Sequence, residues 1–435
     1  MIPTQKIEQQ EWMTDRDLHA VFAVLQGSGD PATAVLCVGG CVRDALMGRA
    51  VVDVDLATVH PPDIVMARLA AAEIDVLKIG IEHGTVVARF GKKLFQITSL
   101  RVDEETDGRH ATVSYTDDWI ADASRRDFTM NALYAKLDGN VFDPLGGSDD
   151  IVARRIRFIG DPHARIEEDA LRILRFYRFH AELGLPTFDG PGLAACRKYF
   201  DRLARLSGER IRKELFKILM SPAPGRMLEG AEFLDLFSTL LPTVDSTGPV
   251  FGLAFIGARE NALGMPDPLR RLAIFLRGAG DAAAAAARLR LSNDATVRLT
   301  VMAAHSPRMT PSLYPRTRKR RLYELGVDAW KDAVILSWAR ADARAAEFSD
   351  IDIAPLGDWL DLLRFPEAWP IPAFPIQGAD VLALGVPQGP EIGRLLTMVE
   401  NWWITRDFRP GRAGCLAQLR RRLWLMGLRK RLGFG

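Results

Sequence analysis

The stretch VGGCVRDALMGRAVVDVDLAT, residues 38–58, decides the fold of this chain. It joins a glycine turn and an Arg-Asp pair to two aspartates, Asp53 and Asp55. Because alternate residues of a strand point to the same face, the intervening valines predict a strand that presents both carboxylates together. Mg²⁺ is a hard cation that binds carboxylate and phosphate oxygens, so the two aspartates are a candidate magnesium site.

The residues before the aspartates are suited to a triphosphate. AVLCVGG, residues 34–40, predicts a buried strand that runs into a turn, where glycines such as Gly40 let backbone N–H groups approach phosphate. Arg43 follows at a place where a phosphate-pairing cation would be useful. Taken alone, these short patterns are as typical of an ordinary turn and a solvated strand edge.

The combination is more specific than its parts. It resembles the signature GGxVRDxLLGRxxxDxD of the class II tRNA nucleotidyltransferase (CCA-adding enzyme) and bacterial poly(A) polymerase family. The resemblance implies an α+β fold, in which a mixed-sheet nucleotidyltransferase head of the polymerase-β-like type is followed by an all-helical neck, body and tail. It also implies nucleotidyl transfer to an RNA 3′-hydroxyl.

Composition indicates a multidomain protein of the cytoplasm. The chain has 435 residues, of which 48% are hydrophobic, and this length favours roughly two to four domains. Its four cysteines show no metal-binding spacing and favour a reducing compartment. No signal-peptide pattern and no apolar run of about 18 residues occur, so we expect no membrane anchor. Nothing in the sequence implies a protein partner.

Charge gives only a local argument for RNA binding, since the net charge is +2. Two basic runs stand out: Arg316 with Arg318–Arg321, and Arg420–Arg422 with Arg429–Arg431, the second around Trp424. Such runs attract phosphates. They are equally typical of a solvated helix face, and the sequence leaves both interpretations open.

The period of the hydrophobic pattern changes near residue 150. Residues 1–150 alternate short strand-like runs with a few helices, which predicts a mixed sheet with helices on one side. The remainder is helical almost throughout. We therefore predict a catalytic head in 1–150, a neck with a nucleobase-selecting helix in 151–225, and an RNA-binding body and tail in 226–435.

A second motif lies in the predicted head. DASRRDFTMN, residues 122–131, resembles the family's RRDFTxNAL motif, which implies that Arg126 pairs with the nucleotide while Asp127 and Asn131 support the site. The residues alone favour a surface salt-bridge cluster. DGRH, residues 107–110, resembles the family's flexible loop. Relatives usually carry glutamate where this chain has Gln96, which puts a third metal ligand in doubt.

A third motif, EDALR, lies in GDPHARIEEDALRILRFYRF, residues 160–179. Helical spacing predicts that Asp169 and Arg172 are surface neighbours, with Arg175 and Arg178 along the same stripe. Alone, this pattern is typical of a salt-bridged amphipathic helix. Its resemblance to the family's EDxxR motif implies instead that the pair selects the nucleobase, and that Arg175 and Arg178 also contact the nucleotide.

The chemistry of this pair suits CTP and ATP. A carboxylate accepts hydrogen bonds and a guanidinium donates them. Cytosine and adenine each present an exocyclic amine beside an acceptor nitrogen, which complements Asp169 beside Arg172. Guanine and uracil present a carbonyl beside a ring N–H, the opposite order. A mismatched base would leave buried polar groups unpaired, at about 1 to 3 kcal/mol each.

Two later segments extend the resemblance. LSGERIRKEL, residues 206–215, predicts a helix capped by Ser207, with Glu209 and Arg210 bracing the nucleotide helix. The segment 376–403 resembles the GxDLxxLGxxxGPxIGxxL element of the tRNA-binding tail, where Gly389 and Gly393 could bring a helix N-terminus close to phosphate.

These motifs together favour a Mg²⁺-dependent enzyme that adds CCA to tRNA, or repairs it there, from CTP and ATP. A bacterial poly(A) polymerase and an enzyme that adds only A to tRNA share the head and stay open as alternatives. A non-catalytic RNA-binding protein is a more remote alternative, because Asp53 and Asp55 are both retained.

Overall fold

The chain forms two compact units. The computed structural model describes residues 2–27, 30–77, 81, 84–106, 111–185, 187–222, 231–241, 250–348 and 353–431. Unit 1 contains Met1–Pro242 and Arg288–Arg290, and unit 2 contains Thr243–Ala287 and Leu291–Gly435. Unit 1 therefore contains all three of the motifs to which the sequence assigns nucleotide chemistry. The functional boundaries at 150 and 225 stay a prediction.

Unit 1 opens with a mixed sheet of eight short strands. The strands are β1 Gln5–Lys6, β2 Val35–Val38, β3 Asp55–Thr58, β4 Asp75–Leu77, β5 Thr85–Phe90, β6 Lys93–Ser99, β9 Tyr134–Ala135 and β10 Asn140–Phe142. Their order is β1-β10-β9-β2-β3-β6-β5-β4, in which β3 and β6 run parallel and the other pairs antiparallel. A separate hairpin pairs β7, Arg101–Thr106, with β8, Ala111–Tyr115. The predicted mixed sheet is confirmed.

Helices surround this sheet and continue to the end of unit 1. They are α1 Arg16–Leu25, α2 Gly40–Leu46, α3 Pro62–Ala71, α4 Trp119–Ser124, α5 Gly147–Val152, α6 Pro162–Glu168, α7 Leu171–Leu183, α8 Gly190–Lys198, α9 Gly208–Met220 and α10 Ala231–Leu240. Short 3₁₀ turns occupy Glu11–Thr14, Thr129–Asn131 and Phe200–Arg205.

The buried strand β2 shows why the sheet is covered on both faces. Its residues are all buried, and successive side chains enter different clusters: Val35 and Cys37 pack with residues of α1, α2 and α3, whereas Leu36 and Val38 pack with residues of α4. Strand alternation forces this division. The prediction of helices on one side was therefore wrong, because a strand that is apolar at every position needs a second layer.

The strand predicted to present Asp53 and Asp55 also needs correction. It begins only at Asp55, so Asp53 lies just before it. In the RRDFT motif, Thr129–Asn131 form a 3₁₀ turn, and the short strand Tyr134–Ala135 follows it. Hydrogen bonds explain the turn, since Thr129 donates its hydroxyl to Asp150 at 2.6 Å and Asn131 donates its amide to Asp127 at 3.1 Å.

All the regular secondary structure described in unit 2 is helical. Its helices are α11 Val250–Leu263, α12 Pro268–Ala273, α13 Ala279–Arg288, α14 Asn293–His305, α15 Pro315–Glu347, α16 Leu356–Ala368, α17 Gly378–Leu382, α18 Pro390–Thr405 and α19 Arg412–Arg431, with α13 ending at the boundary between units. Gly326, at φ +75°, has non-helical backbone angles within α15 and marks a kink in it. None of the described helices is long and apolar enough to cross a membrane.

Buried ion pairs hold the centre of unit 2. Arg270 donates to Glu260 at 2.9 Å and to Asp332 at 2.8 Å, while Arg271 donates to Glu260 at 2.7 Å. All four side chains are almost completely buried. Removal of one partner would leave an uncompensated buried charge, so these contacts specify how α11, α12 and α15 pack.

Aromatic side chains of α7 form part of a buried cluster in unit 1. His180 is 1% exposed, and its ring lies 4.0 Å from the Phe188 ring and 4.9 Å from the Phe176 ring, measured between centroids. Neither ring nitrogen has a hydrogen-bond partner among the described residues. Burial lowers the pKa of His180 from 6.5 to about 3. The native protein therefore keeps this imidazole neutral at pH values where the unfolded chain protonates it.

We predict that His180→Leu makes the protein less sensitive to acid. The unfolded chain binds a proton at His180 below about pH 6.5, whereas the native protein does so only near pH 3. The free energy of unfolding therefore falls as the pH falls between these values. Between about pH 7.5 and about pH 5 the wild type should lose about 2 kcal/mol more unfolding free energy than the variant. Urea unfolding at both pH values measures this loss. The exposed His19, changed in the same way, is the control, and equal acid sensitivity of wild type and His180→Leu would contradict the prediction.

Candidate active site

The glycine turn lies between β2 and α2. Gly39 has φ +74°, a conformation that favours glycine, and it precedes the first residue of α2, Gly40. The turn is held by a hydrogen bond from the Gly39 N–H to the Leu133 carbonyl at 3.1 Å. The first N–H groups of a helix lack intrahelical acceptors, so this turn can offer donors to a phosphate.

Arg43 is more enclosed than the sequence predicts. Its side chain is 9% exposed, and it donates to Asp44 and to the Asn131 side chain, each at 2.9 Å. Arg43 thus links the glycine turn to the RRDFT motif. Its assignment as a triphosphate contact stays a prediction, and its existing partners show that it would bind phosphate as part of a network.

Asp53 and Asp55 lie together at the start of β3. Both residues are exposed. The surrounding protein raises the pKa of Asp55 by desolvation, and the negative charge of Asp53 raises it further. Two repelling oxygen ligands at a solvent-accessible edge fit a hard divalent cation. Among the described residues no group of three or more acidic, histidine or cysteine ligands occurs, so substrate oxygens would have to complete the coordination.

Gln96 lies directly beside Asp55. The parallel pairing of β3 with β6 places the two residues in register, and both are exposed. Residues in register on adjacent strands share a face of the sheet. The position where relatives carry a carboxylate is therefore correctly placed for a third ligand, and this chain supplies a neutral amide there.

Arg126 is held by a buried carboxylate that sequence reasoning did not single out. Asp122, on α4, is 0% exposed and accepts hydrogen bonds from Arg125 at 2.6 Å, from Arg126 at 2.9 Å and from the Tyr134 hydroxyl at 2.9 Å. Burial raises the pKa of Asp122, but the two guanidinium groups lower it overall. The i+3 and i+4 spacing of the arginines was the sequence signal for this contact.

The Arg126 guanidinium, which pairs with Asp122, also interacts with one carboxylate of the aspartate pair. Its positive charge counteracts in part the raised pKa of Asp55, so it lies near that carboxylate. The Arg126 side chain is 20% exposed, which leaves it accessible to a bound anion. This position supports the predicted contact with the nucleotide.

The RRDFT motif is tied to α7. Asp127 is 9% exposed and accepts hydrogen bonds from Arg175 at 2.6 Å and from Asn131 at 3.1 Å. Burial raises the pKa of Asp127, but Arg175 and its hydrogen-bond donors lower it overall. Asp127 and Asn131 thus contact each other and the side chains of Arg175 and Arg43, and their supporting role in the site stays a prediction. Arg175 is engaged by Asp127, and its contact with a nucleotide stays a prediction as well.

The EDALR motif does not form one continuous helix. α6 ends at Glu168 and α7 begins at Leu171, and Asp169 has extended backbone angles, φ −152° and ψ 106°. The prediction of one helix that carries both Asp169 and Arg172 was therefore wrong at this point. The Asp169 side chain accepts from the Leu171 N–H at 3.0 Å, a local contact that competes with helix continuation.

Asp169 and Arg172 each have another partner. Asp169 accepts from Arg210 at 2.7 Å, and Arg172 donates to Glu168 at 2.6 Å. The predicted direct neighbour pair was wrong, because the break in the helix turns Asp169 toward α9. Asp169 is 30% exposed and Arg172 is 14% exposed, and their contact with a base stays a prediction. The contact between Arg172 and Glu168, four residues earlier, could have been predicted from helical spacing.

Arg178 is buried and paired within the chain. Its side chain is 8% exposed and forms an ion pair with the 5% exposed Glu214 on α9, with the guanidinium Nε 3.0 Å from a carboxylate oxygen. Desolvation lowers the pKa of Arg178. A direct contact between Arg178 and a nucleotide stays a prediction, and its geometry favours a supporting role.

The later segments are placed largely as predicted. Ser207 caps α9 by accepting from the Arg210 N–H at 3.4 Å, while Glu209 pairs with Arg290 at 3.2 Å. Gly389 precedes α18, and Gly393 lies in its first turn. The DGRH segment, 107–110, lies outside the described residues.

Family models match two parts of the chain. Residues 35–157 match the poly(A) polymerase head domain, and residues 191–247 match a probable RNA- and SrmB-binding site of polymerase A. The first match spans the glycine turn, the aspartate pair and the RRDFT motif.

Curated relatives cover most of the chain. Mitochondrial CCA tRNA nucleotidyltransferase 1 of Danio rerio is 33% identical over 377 residues, which are 84% of this chain and 82% of the relative. The CCA-adding enzyme of a Geobacillus species is 39% identical over 193 residues, which are 44% of this chain and 46% of the relative.

Solved structures share the fold along nearly the whole chain. The Bacillus stearothermophilus CCA-adding enzyme in complex with CTP aligns with a TM-score of 0.69 at 24% identity, covering 95% of this chain and 99% of that one. The Thermotoga maritima CCA-adding enzyme complexed with tRNA aligns with a TM-score of 0.62 at 20% identity, covering 97% and 100%. Together with the sequence matches, these likenesses mean that this chain belongs to the family of CCA tRNA nucleotidyltransferases and poly(A) polymerases.

Proposed function

We propose that Asp53 and Asp55 carry the chemistry of a template-independent tRNA nucleotidyltransferase. The protein adds CCA to the 3′ end of tRNA, or repairs it there, and uses CTP and ATP as substrates. The observation that supports the catalytic assignment is the pair of exposed, mutually repelling carboxylates beside Arg126, next to the glycine turn in sequence and in the sheet. Such a site can bind a nucleoside triphosphate with a divalent cation.

In this proposal the RNA 3′-hydroxyl attacks the α-phosphate and pyrophosphate leaves. A divalent cation bound by Asp53 and Asp55, which we propose is Mg²⁺, would activate the hydroxyl and neutralise developing charge. The turn at Gly40 and the Arg43 network would hold the triphosphate, and Arg126 would orient it. Asp169 and Arg172 would select the base, while Arg175 and Arg178 complete the basic lining.

The proposed division of the chain follows these roles. Residues 1–150 would transfer the nucleotide, 151–225 would select it, and 226–435 would bind the tRNA. Exposed Arg420, Arg421 and Arg422 on α19, with Trp424 at 66% exposure, support RNA contact by the tail. A-form RNA is recognised largely through its backbone and 2′-hydroxyls, which suits a helical surface. The cytoplasmic location stays a prediction.

We predict that wild-type protein adds C, C and A to tRNA lacking its 3′ end and then stops. Asp53→Ala and Asp55→Ala should abolish incorporation yet keep the tRNA affinity, because the helical body is unchanged. The exposed Asp63→Ala is the control. Sequencing of RNA 3′ ends with all four nucleotides present, together with tRNA filter binding, measures both.

Other reaction products would indicate a different function. Long A tracts on generic RNA indicate a poly(A) polymerase, and A added only to tRNA that ends in CC indicates an A-adding enzyme. No incorporation by wild type would favour a non-catalytic RNA-binding protein. Near-normal turnover by either aspartate variant would contradict the catalytic assignment.

We predict that Asp169→Ala or Arg172→Ala weakens discrimination against UTP and GTP. Each variant removes one partner of the base edge, which should cost about 1 to 3 kcal/mol of selectivity. Lys213→Ala, a change at an exposed position of the neighbouring helix α9, is the control. Nucleotide competition assays measure the preference, and unchanged preference in both variants would show that the pair is structural.

We predict that Gln96→Glu strengthens metal binding. The substitution adds a carboxylate in register with Asp55, where it can serve as a third oxygen ligand. The half-saturating Mg²⁺ concentration should fall several-fold, and calorimetry with Mn²⁺ should show tighter binding. Gln418→Glu, on α19, is the control for added negative charge. Weaker or unchanged metal binding would show that position 96 does not reach the metal.

A further inference from the structure

Phe179 lies among three guanidinium groups. Its ring centroid is 4.2 Å from the Arg178 guanidinium carbon, 5.1 Å from that of Arg43 and 5.4 Å from that of Arg175. The Phe179 residue is 4% exposed. The Phe179 and Phe128 rings also lie edge to face, with 5.6 Å between their centroids and 84° between their planes. One buried ring therefore contacts cations from two different parts of unit 1.

Three cations so close together repel one another. The nearby acids offset this repulsion in part, through Asp44 at Arg43, Asp127 at Arg175 and Glu214 at Arg178. The negative face of an aromatic ring attracts a cation most strongly when both are shielded from water. Arg43 and Arg178 meet this condition, since their side chains are 9% and 8% exposed.

The three arginines belong to elements with different tasks. Arg43 is on α2, which follows the glycine turn, whereas Arg175 and Arg178 are on α7, which follows EDALR. A chain of hydrogen bonds also joins them, from Arg43 to Asn131, from Asn131 to Asp127, and from Arg175 to Asp127. The Phe179 ring thus contacts the guanidinium of Arg43 from α2 and those of Arg175 and Arg178 from α7.

We propose that Phe179 is a positioning residue that fixes the phosphate-binding turn relative to the base-selecting helix through its contacts with Arg43, Arg175 and Arg178. This inference rests on the proposed function, because it assigns the two elements to the two ends of one nucleotide. The ring holds the cations in place, so that base and triphosphate are bound at a set separation. Loss of its π-face would weaken nucleotide binding without removal of any group that touches the nucleotide.

Phe176 provides a matched comparison on the same helix. It is 0% exposed and lies against other rings, including Phe158 at 5.4 Å and His180 at 4.9 Å. No cation lies over it among the described residues. Replacement of either phenylalanine by leucine removes a similar buried volume, but only the change at Phe179 removes cation–π contacts.

The first experiment compares Phe179→Leu with Phe176→Leu. Both variants should lose similar unfolding free energy. Only Phe179→Leu should raise the KM for CTP and ATP, by about fivefold, which corresponds to ~1 kcal/mol. Phe179→Trp, which keeps a π-face, should restore part of this loss. Equal KM values in the two leucine variants would overturn the proposal.

The second experiment keeps the shape of the ring. Phenylalanines with one, two and three fluorines incorporated at position 179 withdraw negative charge from the ring face in steps. The dissociation constant for CTP, measured by calorimetry without catalysis, should rise with each fluorine, and an unchanged constant would overturn the inference. Failure of the proposed function is seen separately, as absence of CCA addition by the wild type, whereas failure of this inference leaves wild-type addition intact.

Discussion

The ion pair between Asp127 and Arg175 is the contact on which the arrangement of the candidate site depends. Asp127 follows Arg126 directly in the RRDFT motif, and Arg175 lies one turn after the start of α7. Asp127 is almost completely buried, so it needs its charge partner and its hydrogen-bond donors. Its ion pair with Arg175 joins α7 to the RRDFT motif, which also carries Arg126. In the proposed site, the placement of the base-selecting helix thus depends on the desolvation of one carboxylate.

The contacts around Asp169 and Arg172 explain how such a site can exist before a nucleotide enters. Free charges at these positions would be costly, and each is compensated inside the chain, Asp169 by Arg210 and Arg172 by Glu168. These partners are themselves partly exposed, so their ion pairs contribute little stability in water. In the proposed site, a base that offers an amine beside an acceptor would replace or share these ion pairs at small cost. A base with the opposite order would gain nothing in exchange.

Sequence reasoning predicted the mixed sheet, the glycine turn and the helix from Gly208, because these depend on local periodicity, glycine geometry and capping. It missed the helix break at Asp169, where a side-chain hydrogen bond to Leu171 overrides the helical period. It also missed that Arg43 and Arg178 are buried, since exposure depends on which distant residues, Asn131 and Glu214, supply partners. Long-range ion pairs leave no periodic signal, so the family resemblance identified the motifs but not their contacts.

The contrast between the metal edge and the rest of the site has a physical reason. Asp53 and Asp55 are exposed and left to repel each other, whereas almost every other charge of the motifs is paired within the chain. The repulsion between the two aspartates, which Arg126 offsets only in part, favours binding of a cation, and paired charges favour a fixed geometry. In the proposed mechanism both are needed, because the paired groups would present a fixed edge to the base while Asp53 and Asp55 would bind the cation that holds the reacting phosphate. The charge repulsion of the proposed site is therefore concentrated at Asp53 and Asp55, at the strand edge where the chemistry would occur. The arginines of α7, the helix proposed to select the base, are paired with carboxylates of the chain.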